Sequence, residues 1–400
     1  MASELRVLHR LPVWLPQTQT WLDRQIRALP PAFRQRIVAD TAEHLDLFPA
    51  ADLWVFAHAG RLRRFWDKGL KRLGARTDFG FVDQAARSFR PQVVHSHFGH
   101  VGWAMGSLPR RLGAAHVVSF YGFDVNMLPQ RDPRWRTRYA QMFRAVDRVL
   151  CEGPHMAQCL IAMGCPPERC QVHHLGVDLP AIAFRPRTPP AGAPLRVLMA
   201  ASFREKKGFP DGLEALARVR RHHPLAITLI GDAGRDAASQ TEKARILATL
   251  ARTGLARHTR LLGFQPPEVL WREAYDHHLF LAPSRTASDG DTEGGAPVVL
   301  IEMVASGMAA VATRHCDIPH VLPATWADRL ASEGDVDALA AAIEAWIAAP
   351  AGQWSERLRQ GRAHLDAGFG AAGQGQALAA IYRELAQGKG VAGNESGRGC

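Results

Sequence analysis

The chain has 400 residues, of which 47% are hydrophobic and 22% are charged, a composition typical of soluble globular proteins. This length exceeds one typical core, so we expect two domains, and no apolar run approaches the ~20 residues that span a bilayer. The formal charge of +11 favours anionic partners, although part of the excess is arginine in an Ala/Gly/Pro-rich background.

Six cysteines are too few for a disulfide scaffold in a chain of this length, and none of them forms a Cys-x-x-Cys pair. Cys165 and Cys170 flank four residues, which is not a standard zinc spacing, so we expect structural thiols and no metal site. The amino-terminal residues lack the sustained apolar segment of a secretory signal. We therefore predict a cytoplasmic protein with reduced thiols.

The first half of the chain alternates short β-like runs with helix-like segments. Leu5–Leu11 is the first predicted strand, and a helix over Trp21–Leu29 follows the loop Pro12–Thr20. Further strands are predicted where apolar runs end in polar or glycine-containing turns. These strands are Pro91–Phe98, His116–Phe120, Val149–Cys151 and Gln171–His174.

The segment Pro180–Pro194 is rich in proline and alanine, which is typical of an interdomain linker, and the same alternation resumes after it. Residues Asp335–Leu385 are mostly helical in pattern. The strands predicted in the second half are Leu195–Met199, Ala226–Ile230, Leu261–Gly263, Leu279–Ala282 and Ala309–Ala312.

Two runs of β–α alternation around a linker predict an α/β chain with two doubly wound, Rossmann-like domains that face each other across a cleft. We place the two domains at residues 1–185 and 186–365. A C-terminal helix follows at 366–388, and C-terminal helices can cross back to the first domain. Residues 389–400 are predicted to form a disordered tail. Ligands of such sheets bind beyond the carboxyl ends of the strands, so the loops at those ends hold the candidate site residues.

The segment Leu53–Leu73 combines apolar residues at helical spacing with a high density of basic residues, opposed by Asp67 alone. Two interpretations stay open: a surface helix that packs its aromatic stripe on the domain core, and a helix that lies in an anionic membrane interface. The apolar residues are Leu62, Phe65, Trp66, Leu70 and Leu73, and the basic ones are Arg61, Arg63, Arg64, Lys68, Lys71 and Arg72.

Two loops of the second half carry side chains suited to a phosphate or a sugar. Ser202–Gly208 holds Arg204, Lys206 and Lys207 where a helix begins, and cations with backbone N–H groups can hold a diphosphate there. The loop after Leu279–Ala282 holds acidic residues and glycines, and Pro297 then begins a helix. Its carboxylates can accept hydrogen bonds from vicinal hydroxyls; the alternative is a βαβ unit with a solvated acidic loop.

Two strand ends of the first half are also candidates. His95-Ser96-His97 ends one strand, and a histidine at such a place can donate to a sugar hydroxyl or transfer a proton. Tyr121-Gly122-Phe123-Asp124 ends the next, where the glycine permits close approach of a ligand and the aspartate can bind hydroxyls.

The segments SFREKKG, ITLIGD, LLGF, LAPS and DGDTEGGAPVVLIEMVASG together resemble the nucleotide-sugar-binding half of the family 4 glycosyltransferases, which have the GT-B fold. VVHSHFGHVG, VSFYGFDVN and VHHLGVD resemble the acceptor domain of the branch that makes bacterial exopolysaccharide of the colanic acid type. The resemblance covers the chain from about Pro91 to Leu322.

The resemblance implies a role for each matching residue. Lys207 and Arg204 would neutralise the donor diphosphate, and His97 would hydrogen-bond the transferred sugar. The donor sugar would contact Glu293, or Asp291 with the loop backbone. The other donor contacts would be Glu302 on the ribose, with Ser202, Gly263, Phe264, Gly294, Gly295, Ala296 and Pro297, and the acceptor-side residues would be Tyr121, Gly122 and Asp124.

The chain also departs from the family's pattern. Eight residues separate Glu293 from Glu302, where the family has seven. Ser202 stands at the position of the usual phosphate-binding arginine, with Arg204 two residues later. Tyr121 stands at the histidine of the usual Phe-His-Gly, and the glycine-rich turn after the first strand is missing.

The activity that the resemblance implies is metal-independent transfer of a sugar, with retention, from a nucleoside diphosphate to a glycan or polyprenyl-linked acceptor. No cofactor is expected, and no nucleic-acid recognition motif accompanies the positive charge. The alternatives are a phosphorylase, a nucleotide-sugar epimerase, and a scaffold that binds glycan or lipid without catalysis.

Overall fold

The computed structural model describes residues 4–15, 20–46, 48–74, 76–77, 79–189 and 192–395, without the side chains of residues 20 and 390–395. The chain divides into two compact units, the first formed by Met1–Gly176 with Ala371–Cys400 and the second by Val177–Gly370. The C-terminal residues from Ala371 therefore belong to the first unit, in agreement with the expectation that C-terminal helices can cross back to the first domain. The last helix is described to Glu395, and residues 396–400 of the predicted tail lie outside the described residues.

The first unit contains a parallel sheet of seven strands in the order β3-β2-β1-β4-β5-β6-β7. These strands are β1 (Leu5–Trp14), β2 (Phe33–Ala42), β3 (Leu53–Val55), β4 (Val93–His97), β5 (Ala115–Ser119), β6 (Arg148–Cys151) and β7 (Cys170–Val172).

The second unit contains a parallel sheet of six strands in the order β10-β9-β8-β11-β12-β13. These strands are β8 (Leu195–Ala200), β9 (Leu225–Ile230), β10 (Thr259–Leu261), β11 (Leu279–Ala282), β12 (Ala309–Thr313) and β13 (Leu330–Ala331). The two sheets confirm the predicted α/β class with two doubly wound units.

The α-helices of the first unit before the linker are α1 (Thr20–Arg27), α2 (Arg61–Arg72), α3 (Phe81–Phe89), α4 (Gly99–Met105), α5 (Leu108–Arg111), α6 (Met127–Arg131), α7 (Arg134–Phe143) and α8 (Pro154–Ala162). Those that follow are α9 (Phe209–Val219), α10 (Ala237–Arg252), α11 (Pro267–Asp276), α12 (Val298–Ala305), α13 (Ile318–Val321), α14 (Val336–Ile347), α15 (Ala351–Gly368) and α16 (Ala371–Glu395).

The central strands β4 and β5 are buried along their whole length, as strands covered on both faces must be. Part of this cover comes from α16, whose Leu378 and Tyr382 pack in one cluster with Val93 and Val117. This packing explains why a helix from the far end of the chain belongs to the first unit.

Most of the apolar stripe of α2 faces solvent, and Leu70 is its half-buried member. Leu62, Phe65 and Trp66 are 87%, 76% and 55% exposed, and Leu73 after the helix is 86% exposed. The inward side instead carries Asp67, which accepts the backbone N–H of Phe81 at the start of α3. The interpretation that this stripe packs on the core is therefore wrong, because a buried carboxylate occupies the inward face. No helix among the described residues is long and apolar enough to cross a membrane.

Gly208 lets the loop after β8 approach β11 and then begin α9. Its φ is 64°, and a Cβ there would lie 1.8 Å from the carbonyl oxygen of Pro283. We expect Gly208→Ala to lower the free energy of unfolding by about 3 kcal/mol or more, since left-handed strain adds to a backbone clash. Gly254→Ala is the control, because its φ is 70° with nothing within 4 Å, so only about 1 kcal/mol should be lost. If urea denaturation showed that both variants lose the same free energy of unfolding, the backbone clash at Gly208 would be contradicted.

Candidate active site

The loops after β8 and β11 meet because these two strands are neighbours in the second sheet. The backbone N–H of Arg285 donates to the carbonyl oxygen of Lys206 at 2.9 Å and joins the loops directly. Residues that are far apart in sequence thus lie side by side at the carboxyl ends of the strands, where ligands bind in this class of sheet.

Lys207 and Glu293 form an ion pair at the centre of these loops. Lys207 Nζ donates to Glu293 Oε2 at 2.7 Å, and Ser284 Oγ donates to Glu293 Oε1 at 2.8 Å. The side chains of Lys207 and Glu293 are only 18% and 5% exposed. The structure therefore brings together the residues that the sequence assigned to the diphosphate and to the donor sugar.

The backbone of Glu293 is also held in place, by a hydrogen bond to His315, which in turn contacts Glu333. The backbone N–H of Glu293 donates to His315 Nε2 at 3.0 Å, and His315 Nδ1 lies 2.6 Å from Glu333 Oε1. Nε2 of His315 therefore accepts, and Nδ1 carries the proton toward Glu333. Ser284 lies in LAPS, one of the segments that carry the family resemblance, but no periodicity or spacing in the sequence indicated that Ser284 or His315 contacts Glu293.

The Glu293 carboxyl is ionised at neutral pH. Burial alone would raise its pKa, but the positive charges of Lys207 and Lys206, with the hydrogen bonds to Lys207 and Ser284, outweigh burial and lower the pKa below its ordinary value. A buried carboxylate in a fixed orientation is suited to accept hydrogen bonds from sugar hydroxyls.

Asp291, the alternative contact for the donor sugar, has a different partner. Lys206 Nζ donates to Asp291 Oδ1 at 3.1 Å and to the carbonyl oxygen of Thr292 at 2.8 Å. Two lysine–carboxylate pairs therefore lie next to each other. Lys206, which the sequence placed among the cations for a diphosphate, instead fixes the loop that carries both carboxylates.

Arg204 lies in the same loop but points to another partner. Its guanidinium makes a bidentate contact with Asp236, at 2.8 and 2.9 Å, and both side chains are nearly half exposed. Asp236 also accepts the backbone N–H of Ser239 as the N-cap of α10. Arg204 is therefore held at the start of α10, while Lys207 is held at Glu293.

The remaining donor contacts of the prediction surround the ends of β8 and β9. Ser202 follows β8 and is half-buried. Gly263 has a φ of 68°, and its carbonyl oxygen accepts the backbone N–H of Gly231 at 2.8 Å. Phe264, the next residue, exposes 49% of its surface and offers an aromatic face to solvent.

The acidic loop turns sharply before α12. Gly294 has a φ of 80°, the carbonyl oxygen of Gly295 accepts the backbone N–H of Asp317, and Ala296 packs partly against the core. Pro297 is the N-cap of α12, and Glu302 is half-buried within that helix. This part of the loop thus brings a helix N-terminus next to Glu293.

In the first unit, His97 ends β4 with both ring nitrogens engaged. Nδ1 lies 2.7 Å from the Tyr121 hydroxyl, and Nε2 lies 3.1 Å from His9 Nδ1. The residue is fully buried, and burial holds its pKa well below the usual range, so the ring is neutral. A sugar hydroxyl reaches His97 only if Tyr121 or His9 moves.

The predicted acceptor-side residues follow β5. Tyr121 is half-buried, and its ring lies 4.5 Å from that of Trp21. Gly122 has a φ of 96° and forms the turn. Asp124 is fully buried and accepts the backbone N–H groups of Gly99 and Tyr121 at 2.6 and 3.0 Å; burial raises its pKa to about 6. Asp124 therefore fixes the turn, a role the sequence did not indicate.

Sequence reasoning also missed a hydrogen-bonded chain behind His97. His9 Nε2 lies 3.2 Å from Gln35 Oε1 and donates to it, because an amide oxygen only accepts. His9 Nδ1 therefore accepts from His97 Nε2, and His97 Nδ1 accepts from the Tyr121 hydroxyl. His95 bonds to the hydroxyls of Tyr382 and Ser119 at 2.6 and 2.7 Å. The ligand nitrogens of His9, His95 and His97 lie within 4.8 Å, the spacing of a metal centre, but these hydrogen bonds already account for them.

Solved structures share this architecture over nearly the whole chain. The structure of Alr3699/HepE from Anabaena in complex with UDP matches with a TM-score of 0.76 at 15% identity, over 95% of this chain and 100% of that chain. A glycosyltransferase from Rickettsia africae ESF-5 matches with a TM-score of 0.73 at 14% identity, over 96% and 98%. With the two Rossmann-like sheets, these similarities define the GT-B fold.

Sequence comparison identifies the family. The family described as "Glycosyl transferases group 1" matches residues 182–363, and "Glycosyltransferase Family 4" matches residues 26–180. The Escherichia coli (strain K12) protein named for colanic acid biosynthesis, the glycosyltransferase WcaL, is 31% identical over 287 residues, 69% of this chain and 68% of that protein. The amylovoran biosynthesis glycosyltransferase AmsK of Erwinia amylovora is 30% identical over 64% of this chain and 61% of that protein. The chain belongs to the family 4 glycosyltransferases.

Proposed function

We propose that this protein is a retaining glycosyltransferase that moves a sugar from a nucleoside diphosphate sugar to a glycan acceptor without a metal ion. The observation that carries the proposal is the buried Lys207–Glu293 pair at the carboxyl ends of β8 and β11. The names of WcaL and AmsK favour an acceptor in the synthesis of a bacterial exopolysaccharide, with lipopolysaccharide as a related case.

Lys207 would neutralise the charge that develops on the leaving diphosphate. Its ammonium group has three N–H donors, and the bond to Glu293 uses one of them. A cation that is already fixed and shielded acts without reorganisation during the reaction. Glu293, oriented by Ser284 and Lys207, would accept hydrogen bonds from the hydroxyls of the donor sugar.

The acceptor hydroxyl would lose its proton to the leaving diphosphate. Asp124, the buried carboxylate beside Tyr121, is engaged by two backbone N–H groups. His97 is neutral and bonded at both nitrogens. These engagements favour a proton transfer to the leaving group on the same face of the sugar, which is compatible with retention.

Product analysis tests this proposal. Purified protein is incubated with a panel of nucleotide sugars and glycan or polyprenyl-linked acceptors, with and without EDTA, and the products are identified by mass spectrometry and by NMR of the new anomeric centre. We expect transfer with retention that EDTA does not abolish. Cleavage that requires phosphate would indicate a phosphorylase, and conversion of the donor without acceptor an epimerase. Calorimetry in which neither UDP nor GDP binds, with no further loss in Lys207→Ala, would support a scaffold without catalysis.

We also propose that α2 places the protein on the inner face of the cytoplasmic membrane, where a lipid-linked acceptor lies. Its exposed apolar residues are flanked by exposed basic residues, including Lys68, Lys71 and Arg72. Such a helix inserts its apolar side into the interface while its cations attract anionic headgroups.

Flotation with anionic liposomes measures this contact. We expect Leu62→Ser/Phe65→Ser/Leu73→Ser to weaken vesicle binding at least 30-fold, because each buried apolar side chain contributes about 1.5–3 kcal/mol. Exposed positions change folding stability little, so the effect reports binding. Leu247→Ser, at a residue of the second unit that is 43% exposed, is the matched control. If the triple variant floated with the vesicles as well as the wild type and Leu247→Ser do, the proposed membrane contact would be wrong.

A further inference from the structure

A cavity of about 570 Å³ lies in the first unit at the amino-terminal ends of β5 and β6. Ala114 and His116 line it at the start of β5, and Asp147 lines it just before β6. Tyr121 follows the opposite end of β5, so this cavity is distinct from the candidate active site. Its volume is in the range that holds a small organic ligand.

The wall of this cavity is strongly basic. Arg76, Arg110, Arg144 and Lys389 line it with one carboxylate, Asp147, so four cations and one anion leave three positive charges. Asp147 is already satisfied, because it accepts from Lys389 Nζ at 2.9 Å and from the backbone N–H of His116 at 2.8 Å. The cations in excess are therefore the three arginines.

One of these arginines is held in place. The guanidinium of Arg76 lies 3.9 Å from the centre of the Trp103 indole ring, and its Nη1 donates to the carbonyl oxygen of Trp103 at 3.3 Å. A stacked guanidinium keeps its other N–H donors free in a fixed plane. Arg110 and Arg144 are exposed at the wall, and within the part of the chain that the structure describes their side chains have no acidic partner.

We propose that this cavity binds a phosphate ester of a polyol. Planar guanidinium groups match the oxygens of a phosphate in a bidentate manner, and three arginines around one cavity supply the charge. The volume exceeds that of a bare phosphate, and Pro109, Met142 and Val146 line the cavity with apolar surface for the carbon skeleton of the polyol.

Two sources share this chemistry: a free sugar or glycerol phosphate, and the headgroup of an anionic phospholipid. Gly74 and Arg76 line the cavity, and they directly follow α2 in the chain. None of the residues assigned to sugar transfer lines it, so the site does not depend on the proposed function.

Calorimetric titration of the full chain with glycerol 3-phosphate and with inorganic phosphate tests the site. We expect glycerol 3-phosphate to bind, and Arg110→Gln/Arg144→Gln to weaken binding about 100-fold, since each of the two charge-assisted contacts corresponds to about tenfold in affinity. Arg34→Gln/Arg136→Gln is the matched control, because both residues are exposed in the first unit and neither lines the cavity. Binding in the control should equal that of the wild type.

Vesicles identify the source. Binding to phosphatidylglycerol vesicles but not to phosphatidylcholine vesicles, lost in Arg110→Gln/Arg144→Gln and displaced by glycerol 3-phosphate, would assign the site to a lipid headgroup. If glycerol 3-phosphate binds in the calorimeter but does not displace the protein from phosphatidylglycerol vesicles, the site would be assigned to a soluble phosphate ester. If neither glycerol 3-phosphate nor phosphatidylglycerol vesicles bind in a manner that depends on Arg110 and Arg144, the proposal is wrong.

Discussion

Replacing Lys207 with methionine is expected to lower kcat/KM for sugar transfer about 100- to 1,000-fold, the equivalent of about 3–4 kcal/mol of transition-state stabilisation. The ammonium lies 2.7 Å from Glu293 and would face the charge that develops on the leaving diphosphate. Methionine keeps most of the side-chain volume and removes the charge together with the N–H donors. Steady-state rates with the donor found by product analysis measure the effect.

The same substitution should also affect folding, because it leaves Glu293 buried without its partner. Breaking a buried ion pair on one side costs about 3–5 kcal/mol of folding stability. In Lys207→Met/Glu293→Gln the buried charge is gone and Ser284 can still donate to the amide oxygen. We expect the double variant to regain most of this stability while transfer stays lost.

A comparison of these variants separates charge from structure. If the double variant recovered transfer together with stability, the role of Lys207 would be structural and the electrostatic argument would be wrong. Lys243→Met is the matched control, because Lys243 also pairs with a carboxylate, Asp232, at 2.7 Å but is 37% exposed. An exposed pair of this kind contributes about 0–1 kcal/mol, so we expect unchanged stability and rates within about twofold.

The sequence predicted the alternation of strands and helices because buried parallel strands appear as short apolar runs. It missed β2 (Phe33–Ala42), whose sequence FRQRIVADTA mixes charged and apolar residues. β2 lies next to the edge strand β3, and several of its side chains are partly exposed, so no continuous apolar run forms. For α2 the spacing indicated a helix, but spacing cannot decide which face turns inward; Asp67 decides it.

At the site, too, the sequence indicated the residues but not which of them contact each other. Lys207 and Glu293 were both assigned from sequence, but their contact depends on β8 and β11 being neighbours in the sheet. Arg204 could not be matched to Asp236, because that pairing depends on where α10 begins. Side chains that act through others, such as His315, carry no spacing signal at all.

Mild acid is expected to destabilise the first unit steeply. Burial lowers the pKa of six of its histidines, to about 4 in four cases and well below the usual range in two, whereas an unfolded histidine titrates near 6.5. As the pH falls below 6.5, the unfolded chain binds protons that the folded chain excludes, so stability falls with pH. These residues are His9, His95, His97, His100, His116 and His173.

One carboxyl opposes this trend. Burial raises the pKa of Asp124 from 3.8 to about 6, so below pH 6 the folded state takes up one proton that the unfolded state does not. Six protons against one leave a net uptake of about five by the unfolded chain near pH 5. Since each proton corresponds to about 1.4 kcal/mol per pH unit, stability should fall by about 7 kcal/mol per unit as the pH approaches 5.

Urea denaturation of the full chain at half-unit steps from pH 5 to pH 7.5 measures this slope. His9→Gln should reduce the slope by about 1.4 kcal/mol per pH unit, because one excluded proton is removed. His58→Gln, at an exposed histidine of the same unit, should leave the slope unchanged. A flat profile, or a slope that responds equally to both variants, would mean that the buried imidazoles accept protons without unfolding.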